Sequence, residues 1–373
     1  MRHPFPVASP IAMLSAEAMT APRTLGIVMH DFPLGGTERI ALRLAKSWAA
    51  LGVKVTIFVG DARGTLRDMV PEAIGLIEAD PPIPRGKGSR ERLGAAAAGY
   101  FGEHPVDGLF VTGNFHWELV PALAALPTKL VVQISSPLVM PQRGRLLQWR
   151  FRRRMRRLLR NADALVAMDE TNQVRADSMI GRAMTTAIPL PALDDDALVP
   201  TPASGRTILA AGRLIRQKGF DILIDAAARL DDPTIRLVIV GSGPEEQALR
   251  QRIDRHGLAD RVTLTGFVPD IRPWLAEARL FVLPSRFEGY GAVILEALDA
   301  GRPVIATRST PAVDDVLDDP ECGLSVPIED VDALAAAIQS VLDTPAPDPA
   351  RLSASVDRFR IGAGARAYLD LFA

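Results

Sequence analysis

Short apolar runs alternate with helical patterns along almost the whole chain. The segment 38–52, directly after the first apolar run, has its hydrophobic positions at helical spacing. Continuous apolar strands separated by helices are typical of a parallel sheet covered on both faces, so the pattern predicts a doubly wound α/β fold. The runs that predict strands are 24–29, 54–60, 107–113, 129–135, 164–169, 206–212, 236–243, 261–266, 280–285 and 303–307.

These strands form two series, separated by a segment rich in Pro and Asp that has no periodicity. Because 373 residues exceed a comfortable single core, we expect two α/β domains that face each other across a cleft. The expected parts are a disordered leader over 1–23, a first domain over 24–190, a linker over 191–205, a second domain over 206–350, and a C-terminal helix over 351–373 that packs back towards the first domain.

Composition narrows the class of protein. The chain is 48% hydrophobic and 23% charged with a formal net charge of −1, which is typical of a globular protein and gives no global reason to expect nucleic acid. The single cysteine, Cys322, cannot form an internal disulfide, so a reducing compartment fits best. No apolar run approaches the roughly 18–20 residues needed to span a bilayer. We therefore expect a cytoplasmic protein.

The first candidate site follows the strand at 206–212. Arg213 and Lys218 flank a short turn that Gly219 closes, just before a helix. Two cations at the carboxyl end of a strand, beside a helix N-terminus, suit a diphosphate. The alternative is a pair of ordinary surface cations.

The second candidate site is the stretch "RFEGYGAVILEALDAG" (286–301), which reads as a glycine turn between a strand and a helix. Glycines permit close approach of a ligand to the backbone. Glu288 starts the turn, and a carboxylate there is also favoured by the helix dipole alone. Glu296 stands in an apolar helix, where a carboxylate is costly unless it has hydrogen-bond donors. A ribose diol would supply two donors to Glu296.

Four motifs in this order resemble one family. "DFPLGGTERIALRLA" (31–45), "AGRLIRQKG" (211–219), "VTLTGFVPD" (262–270) and "EGYGAVILEAL" (288–298) are similar to motifs of the retaining glycosyltransferases of family 4, which have the GT-B architecture. The resemblance extends over nearly the whole chain from about residue 24. It implies two Rossmann-like domains with the acceptor side in the first domain and the nucleotide-sugar side in the second.

The resemblance also implies roles for residues. Arg213 and Lys218 would neutralise the donor diphosphate in place of a metal, Glu296 would hold the ribose hydroxyls, and Glu288 would lie at the transferred sugar. No metal and no cofactor is expected. The other expected donor-binding residues are Gly289, Tyr290 and Gly291 at the sugar and phosphate, Phe267 and Val268 at the base, and Gly35 and Gly36 where the first domain approaches the donor.

The chain departs from the family at one catalytic position. Many members have a histidine where Thr112 or Gly113 stands here. His116 is a candidate to assist catalysis from the cleft, although its ring could instead pack beside Trp117. His30, at the end of the first strand, is a second candidate. The departure leaves the polar assistant open and the reaction class unchanged.

The stretch Arg143–Arg160 contains nine arginines. At helical spacing, Leu147, Phe151, Met155, Leu158 and Leu159 form an apolar stripe, and Trp149 lies among arginines on another face. A tryptophan among arginines is typical of a helix at a membrane surface. The stretch would also suit an anionic acceptor, and a solvated helix packed on the domain is an equal alternative. No nucleic-acid recognition pattern accompanies it.

The leading hypothesis is a retaining glycosyltransferase that moves a sugar from a UDP- or GDP-sugar to a carbohydrate or lipid-linked acceptor, in cell-envelope polysaccharide or glycolipid synthesis. It would act in the cytoplasm or at the inner face of the membrane. One alternative is a nucleotide-sugar epimerase, although five histidines are few for that chemistry. An NAD-dependent dehydrogenase is disfavoured because "GSGPEE" lacks the third fingerprint glycine. A non-catalytic nucleotide-sugar-binding scaffold would be expected to have lost Glu288, Lys218 or Arg213.

Overall fold

The protein is described by a computed structural model, which covers residues 22–373 except 34, 137, 139–143 and 197–204. Its first domain has a parallel sheet of seven strands in the order β3-β2-β1-β4-β5-β6-β7. The chain therefore winds outward from β1 in both directions, which places a crevice at the carboxyl ends of β1 and β4. The strands are β1 (Thr24–Met29), β2 (Lys54–Val59), β3 (Gly75–Glu78), β4 (Gly108–Val111), β5 (Lys129–Ile134), β6 (Ala164–Ala167) and β7 (Thr185–Ala187).

Helices cover both faces of this sheet. The first helix is amphipathic, and its residues Ile40, Leu44 and Trp48 are buried at four-residue spacing against the sheet. The helices of the first domain are α1 (Gly36–Ala50), α2 (Ser89–Glu103), α3 (Val120–Leu123), α4 (Arg145–Leu159) and α5 (Glu170–Ile180), with a 3₁₀ turn at Asn114–Leu119 before α3.

The second domain repeats the design with a six-stranded parallel sheet in the order β10-β9-β8-β11-β12-β13. Its strands are β8 (Thr207–Ala211), β9 (Arg236–Val240), β10 (Val262–Leu264), β11 (Leu280–Leu283), β12 (Val304–Thr307) and β13 (Gly323–Val326). Its helices are α6 (Phe220–Ala227), α7 (Glu246–Arg255), α8 (Arg272–Glu277), α9 (Val293–Asp299), α10 (Pro311–Val316) and α11 (Val331–Asp343). The predicted fold class, two doubly wound α/β domains, is confirmed.

Three strands were not predicted. Each of β3, β7 and β13 lies at an edge of its sheet, is three or four residues long, and includes half-buried or exposed positions; β3 has no buried position. The central strands β1, β4 and β11 are almost wholly buried and therefore give the continuous apolar runs that the sequence shows. Short strands that are only partly buried give a weaker apolar signal.

The C-terminal segment connects the two domains. It contains α12 (Pro349–Ser355) and α13 (Ile361–Leu369), and α13 packs on α1 of the first domain. The indole Nε1 of Trp48 donates a hydrogen bond to the carbonyl of Ala365 at 2.9 Å. Beside it, the backbone of Leu193 pairs with the chain near Arg360. The described part of the expected linker is therefore held against the C-terminal segment.

A buried ion pair fixes the C-terminal segment to the second domain. Arg360 Nη2 lies 2.8 Å from Asp299 Oδ1, at the end of α9, and Ser353 Oγ donates to the same oxygen at 3.0 Å. Both members of the pair are largely shielded from solvent.

The expected leader, apart from its last two residues, and positions 197–204 of the expected linker lie outside the described residues.

We expect Arg360→Met to lower the free energy of unfolding by about 3 kcal/mol, because it leaves the Asp299 carboxylate buried without its cation. Urea denaturation monitored by circular dichroism measures this change. Arg351→Met is the control, since Arg351 pairs with Asp319 and Glu321 at the surface and its loss should cost about 0.5 kcal/mol. Equal, small losses for the two variants would contradict this view of the junction.

Candidate active site

A cavity of about 420 Å³ lies between the carboxyl-terminal edges of the two sheets. Ligands of open α/β sheets bind at such edges. The structure brings together eleven of the twelve predicted site residues as lining of this cavity; His116 is the exception. They are Gly35, Gly36, Arg213, Lys218, Phe267, Val268, Glu288, Gly289, Tyr290, Gly291 and Glu296.

Lys218 and Glu288 form a buried ion pair in the cavity wall. Lys218 Nζ lies 2.7 Å from Glu288 Oε1, and Ser285 Oγ donates to the same oxygen. The turn that carries Lys218 ends at Gly219, whose φ of 67° lies in the left-handed region, and a Cβ there would lie 2.0 Å from the Pro284 carbonyl oxygen. Glycine at 219 therefore lets the Lys218 turn pack directly against the strand end that leads to Glu288.

Arg213 differs from Lys218 because it forms no ion pair with another described residue. It stands at the end of β8, is exposed, and lines the same cavity. In the part of the chain that the structure describes, its guanidinium has neither a hydrogen-bond partner nor an ion-pair partner. A guanidinium with five free donors is suited to bind two oxygens of a phosphate at once.

Glu296 lies on α9 and faces the first domain. Burial raises the pKa of its carboxyl, while the nearby Arg43 and Arg39 lower it. Arg39 Nη1 of α1 lies 3.9 Å from Glu296 Oε1, so this contact crosses the cleft. Such a long ion pair leaves the carboxylate able to accept hydrogen bonds from a ligand.

The two domains come into direct contact at the glycine turn. A Cβ on Gly289 would lie 2.9 Å from the backbone oxygen of Ser135, at the end of β5. Ser135 is held in turn by Asn114: Ser135 N–H donates to Asn114 Oδ1 at 2.8 Å, and Asn114 N–H donates to Ser135 Oγ at 3.1 Å. Only glycine permits this approach of the second domain to the first.

The expectation that His116 would face the cleft disagrees with the structure. His116 is fully buried, its Nε2 accepts the backbone N–H of His30 at 3.0 Å, and its Nδ1 lies 2.6 Å from the Thr112 carbonyl oxygen. Since Nε2 accepts, Nδ1 carries the proton and donates to that carbonyl. Burial lowers the pKa of His116 to about 4. The side chain therefore stays neutral and joins β1 to the 3₁₀ turn after β4.

His30 is also fully buried and does not line the cavity. Its ring packs edge-on against Phe115, with centroids 5.8 Å apart. Burial lowers the pKa of its imidazole. Neither histidine candidate is placed at the cavity.

Sequence reasoning missed several cavity residues of the first domain, among them Arg39, Arg43, Gln133 and Ser135. Arg39 and Arg43 are four residues apart on α1, directly after the Gly35–Gly36 turn. Their spacing places both on one face of the helix, which was a usable signal. Gln133 and Ser135 extend an apolar strand, and nothing in their local pattern indicates a site.

The arginine-rich helix α4 is only partly packed on the domain. Met155, Leu158 and Leu159 are buried, but Leu147 is 60% exposed. Leu146 and Trp149 are also exposed, at 70% and 52%. Arg143, the first residue of the predicted stretch, lies outside the described residues. The first turns of α4 therefore present an apolar cluster, Leu146–Leu147–Trp149, among arginines.

Two family models match the chain. The model of a glycosyl transferase 4-like domain matches residues 35–191, and that of glycosyl transferases group 1 matches residues 205–344. Together they account for most of the chain, one domain each. The chain belongs to the group 1 glycosyltransferases of family 4. The predicted family is confirmed.

Curated glycosyltransferases are similar in sequence to part of this chain. The lipopolysaccharide core biosynthesis glycosyltransferase LpsE of Rhizobium meliloti is 38% identical over 40% of this chain and 43% of its own length. A GDP-mannose-dependent alpha-(1-6)-phosphatidylinositol monomannoside mannosyltransferase of Mycolicibacterium smegmatis is 31% identical over 51% of this chain and 56% of its own. The chain thus spans about half the length of these curated relatives.

The fold of the glycosyltransferase chain is also that of known structures. Alr3699/HepE of Anabaena, solved with UDP and glucose, superposes with a TM-score of 0.70 at 19% identity, covering 93% of this chain and 95% of that one. The two-domain GT-B architecture is therefore shared.

Within the described residues, no helix has the length and apolar character needed to cross a bilayer, and no group of three or more His, Cys, Asp or Glu side chains could hold a metal ion.

The low pKa of His116 has a consequence for stability. Between pH 6.5 and about 4 the unfolded chain binds a proton at this ring that the folded protein does not. The free energy of unfolding should therefore fall as the pH drops through this window, by up to about 3 kcal/mol. His116→Gln can make both hydrogen bonds without titrating, so its loss of stability over the window should be smaller by that amount.

Urea unfolding of the wild-type protein and His116→Gln at pH 7, 5.5 and 4 measures this difference. Identical pH dependence of the two proteins would contradict the structural role. A variant that keeps full stability and loses turnover would instead indicate that His116 takes part in catalysis.

Proposed function

We propose that this protein is a retaining glycosyltransferase that uses a nucleoside diphosphate sugar as donor. The proposal rests on one interdomain cavity that holds two cations, Arg213 and Lys218, together with the carboxylate of Glu296. Lys218 is paired with Glu288, whereas Arg213 has no partner among the described residues. Cations stabilise a diphosphate, and a carboxylate accepts hydrogen bonds from a ribose diol. Phe267 and Val268 also line this cavity and would border the base.

In this proposal the bond between the anomeric carbon and the diphosphate oxygen breaks while the acceptor oxygen forms the new bond on the same face. Negative charge develops on the departing diphosphate, and Arg213 and Lys218 stabilise it without a metal. The leaving phosphate oxygen takes the proton of the acceptor hydroxyl. Glu288 keeps Lys218 in place through the 2.7 Å ion pair and lies beside Gly289, where the transferred sugar would sit.

The donor would be a UDP- or GDP-sugar and the acceptor a carbohydrate or lipid-linked molecule of the cell envelope. Support comes from the relatives, one of which is named for GDP-mannose and another for lipopolysaccharide core synthesis, and from the UDP found in a structure of the same fold. The epimerase alternative is not proposed, because the described cavity lining offers the carboxylates Glu288 and Glu296 but no histidine.

Arg213→Ala should weaken the binding of UDP or GDP about tenfold, the value of one charge-assisted contact. Its thermal stability without ligand should not change, because Arg213 has no partner among the described residues. Isothermal titration calorimetry measures the affinity, and EDTA should not alter it.

Arg216→Ala is the matched control for Arg213. Arg216 is an exposed cation of the same turn that does not line the cavity, so its loss should change affinity less than twofold. Binding of neither diphosphate to the wild-type protein, or equal losses in the two variants, would overturn the proposed donor site.

We further propose that α4 attaches the enzyme to an anionic membrane surface at the inner face of the membrane, close to a lipid-linked acceptor. The cluster Leu146–Leu147–Trp149 supplies apolar groups for the interface, and Arg145, Arg150, Arg152 and Arg153 lie exposed around it. Gln148 Nε2 donates to the Leu138 carbonyl at 3.0 Å, which connects this helix turn to the segment after β5. That segment begins at Ser135 and Ser136, which line the cavity.

The wild-type protein should sediment with vesicles that contain phosphatidylglycerol, and not with phosphatidylcholine alone. The double variant Leu147→Ser/Trp149→Ser should reduce the partition coefficient at least tenfold through lost apolar burial. Val174→Ser, which removes an equally exposed apolar side chain on α5, should leave it unchanged. Equal sedimentation of all three proteins would contradict the surface assignment.

A further inference from the structure

A buried glutamine of the first domain has one end without a partner. Gln133 on β5 is 1% exposed and lines the cavity. Its Nε2 donates a hydrogen bond to the hydroxyl of Tyr368 at 2.9 Å. Its backbone oxygen accepts from Trp117 Nε1 at 3.1 Å, so the strand itself is fixed here. Nothing in the described chain donates to the side-chain oxygen Oε1.

This oxygen is not among the unpartnered side-chain atoms that are sealed from solvent, and Gln133 lines the cavity, so Oε1 is free to accept a hydrogen bond there. The same wall of the cavity carries Ser135, two residues along β5 and therefore on the same face of the sheet. The backbone of Ser135 touches Gly289 of the second domain. Gln133 thus lines the first domain's wall of the cleft beside Ser135, where Gly289 of the second domain approaches.

We propose that Gln133 Oε1 accepts a hydrogen bond from a hydroxyl of the donor's sugar, and that Tyr368 is the positioning residue that holds the amide for this contact. The inference rests on the proposed function, since it assigns a specificity residue to the same donor site. Sugars carry several hydroxyl groups that can donate hydrogen bonds, and the oxygen of an uncharged amide can accept one.

Tyr368 is well placed for this role. It is fully buried in α13, and its ring packs against Phe110 at 5.5 Å and Trp48 at 6.4 Å between centroids. Among the residues described, Gln133 is the hydrogen-bond partner of its hydroxyl. Tyr368 therefore connects the C-terminal segment to Gln133, a side chain that lines the cavity.

The test uses calorimetry on the full chain with two ligand pairs, UDP with UDP-glucose and GDP with GDP-mannose. The quantity of interest is the ratio of affinities for the sugar nucleotide and for its diphosphate. The wild-type protein should bind the sugar nucleotide more tightly in at least one pair. Gln133→Leu should lower the affinity for that sugar nucleotide about tenfold and leave the affinity for the diphosphate within twofold.

A double variant separates binding from mere structure. Gln133→Leu alone leaves the Tyr368 hydroxyl buried without a partner, so its melting temperature should fall. Gln133→Leu/Tyr368→Phe removes both polar partners, which restores much of the melting temperature. The preference for the sugar nucleotide should stay lost in the double variant, and Tyr368→Phe alone should reduce it in part.

Return of the preference together with the melting temperature would overturn the inference, since the glutamine would then act only through packing. So would equal loss of both ligands in Gln133→Leu, an unchanged ratio, or a wild-type protein with no preference in either pair. These results leave the proposed function standing as long as a diphosphate binds. Failure of both diphosphates to bind the wild-type protein would overturn the proposed function and the inference together.

Discussion

The site depends on one geometric constraint: two parallel sheets must present their carboxyl-terminal edges to each other. Neither edge alone encloses a ligand, because the cavity walls come from both domains. The C-terminal segment maintains this arrangement by packing α13 on the first domain and by the buried Arg360–Asp299 pair on the second. Asp299 ends the same helix that carries Glu296, so the junction and the cleft share one rigid element.

Charge in the cleft is distributed unevenly. The cavity lining contains the cations Arg39, Arg43, Arg213 and Lys218, against the carboxylates Glu288 and Glu296. Lys218 is already paired, and Arg39 reaches Glu296 only at 3.9 Å. An excess of cations between low-dielectric walls attracts an anion and strengthens its binding. In the proposed donor complex, the phosphates of a nucleoside diphosphate would meet this surplus and its ribose would meet Glu296.

The residues of the second domain that the sequence indicated all line the cavity, since they are contiguous around three strand ends. Periodicity was sufficient for the fold, because the central strands are buried on both faces and read as apolar runs. The first domain's share could not be predicted from pattern. Gln133 and Ser135 gain their importance from contacts with Tyr368 and Gly289, more than 150 residues away in each case. The orientation of His116 similarly follows from the 3₁₀ turn, which points its ring back to His30.

The arginine-rich helix shows the same limit on the surface. Its spacing placed Leu147, Met155, Leu158 and Leu159 on one apolar stripe; the last three are buried in the structure, but Leu147 remains exposed. Whether a helical stripe is covered depends on how far the neighbouring surface extends, which is a tertiary property. The sequence alone could not distinguish a packed leucine from one available to a membrane.

The proposed function requires a donor nucleotide in the interdomain cavity with its diphosphate on Arg213 and Lys218. A crystal structure of the protein with UDP or GDP would reveal this arrangement. We expect diphosphate oxygens within hydrogen-bonding distance of both cations, and the ribose hydroxyls on the Glu296 carboxylate. A nucleotide bound outside the cleft, or one that reverses this orientation and places its base at Arg213, would contradict it.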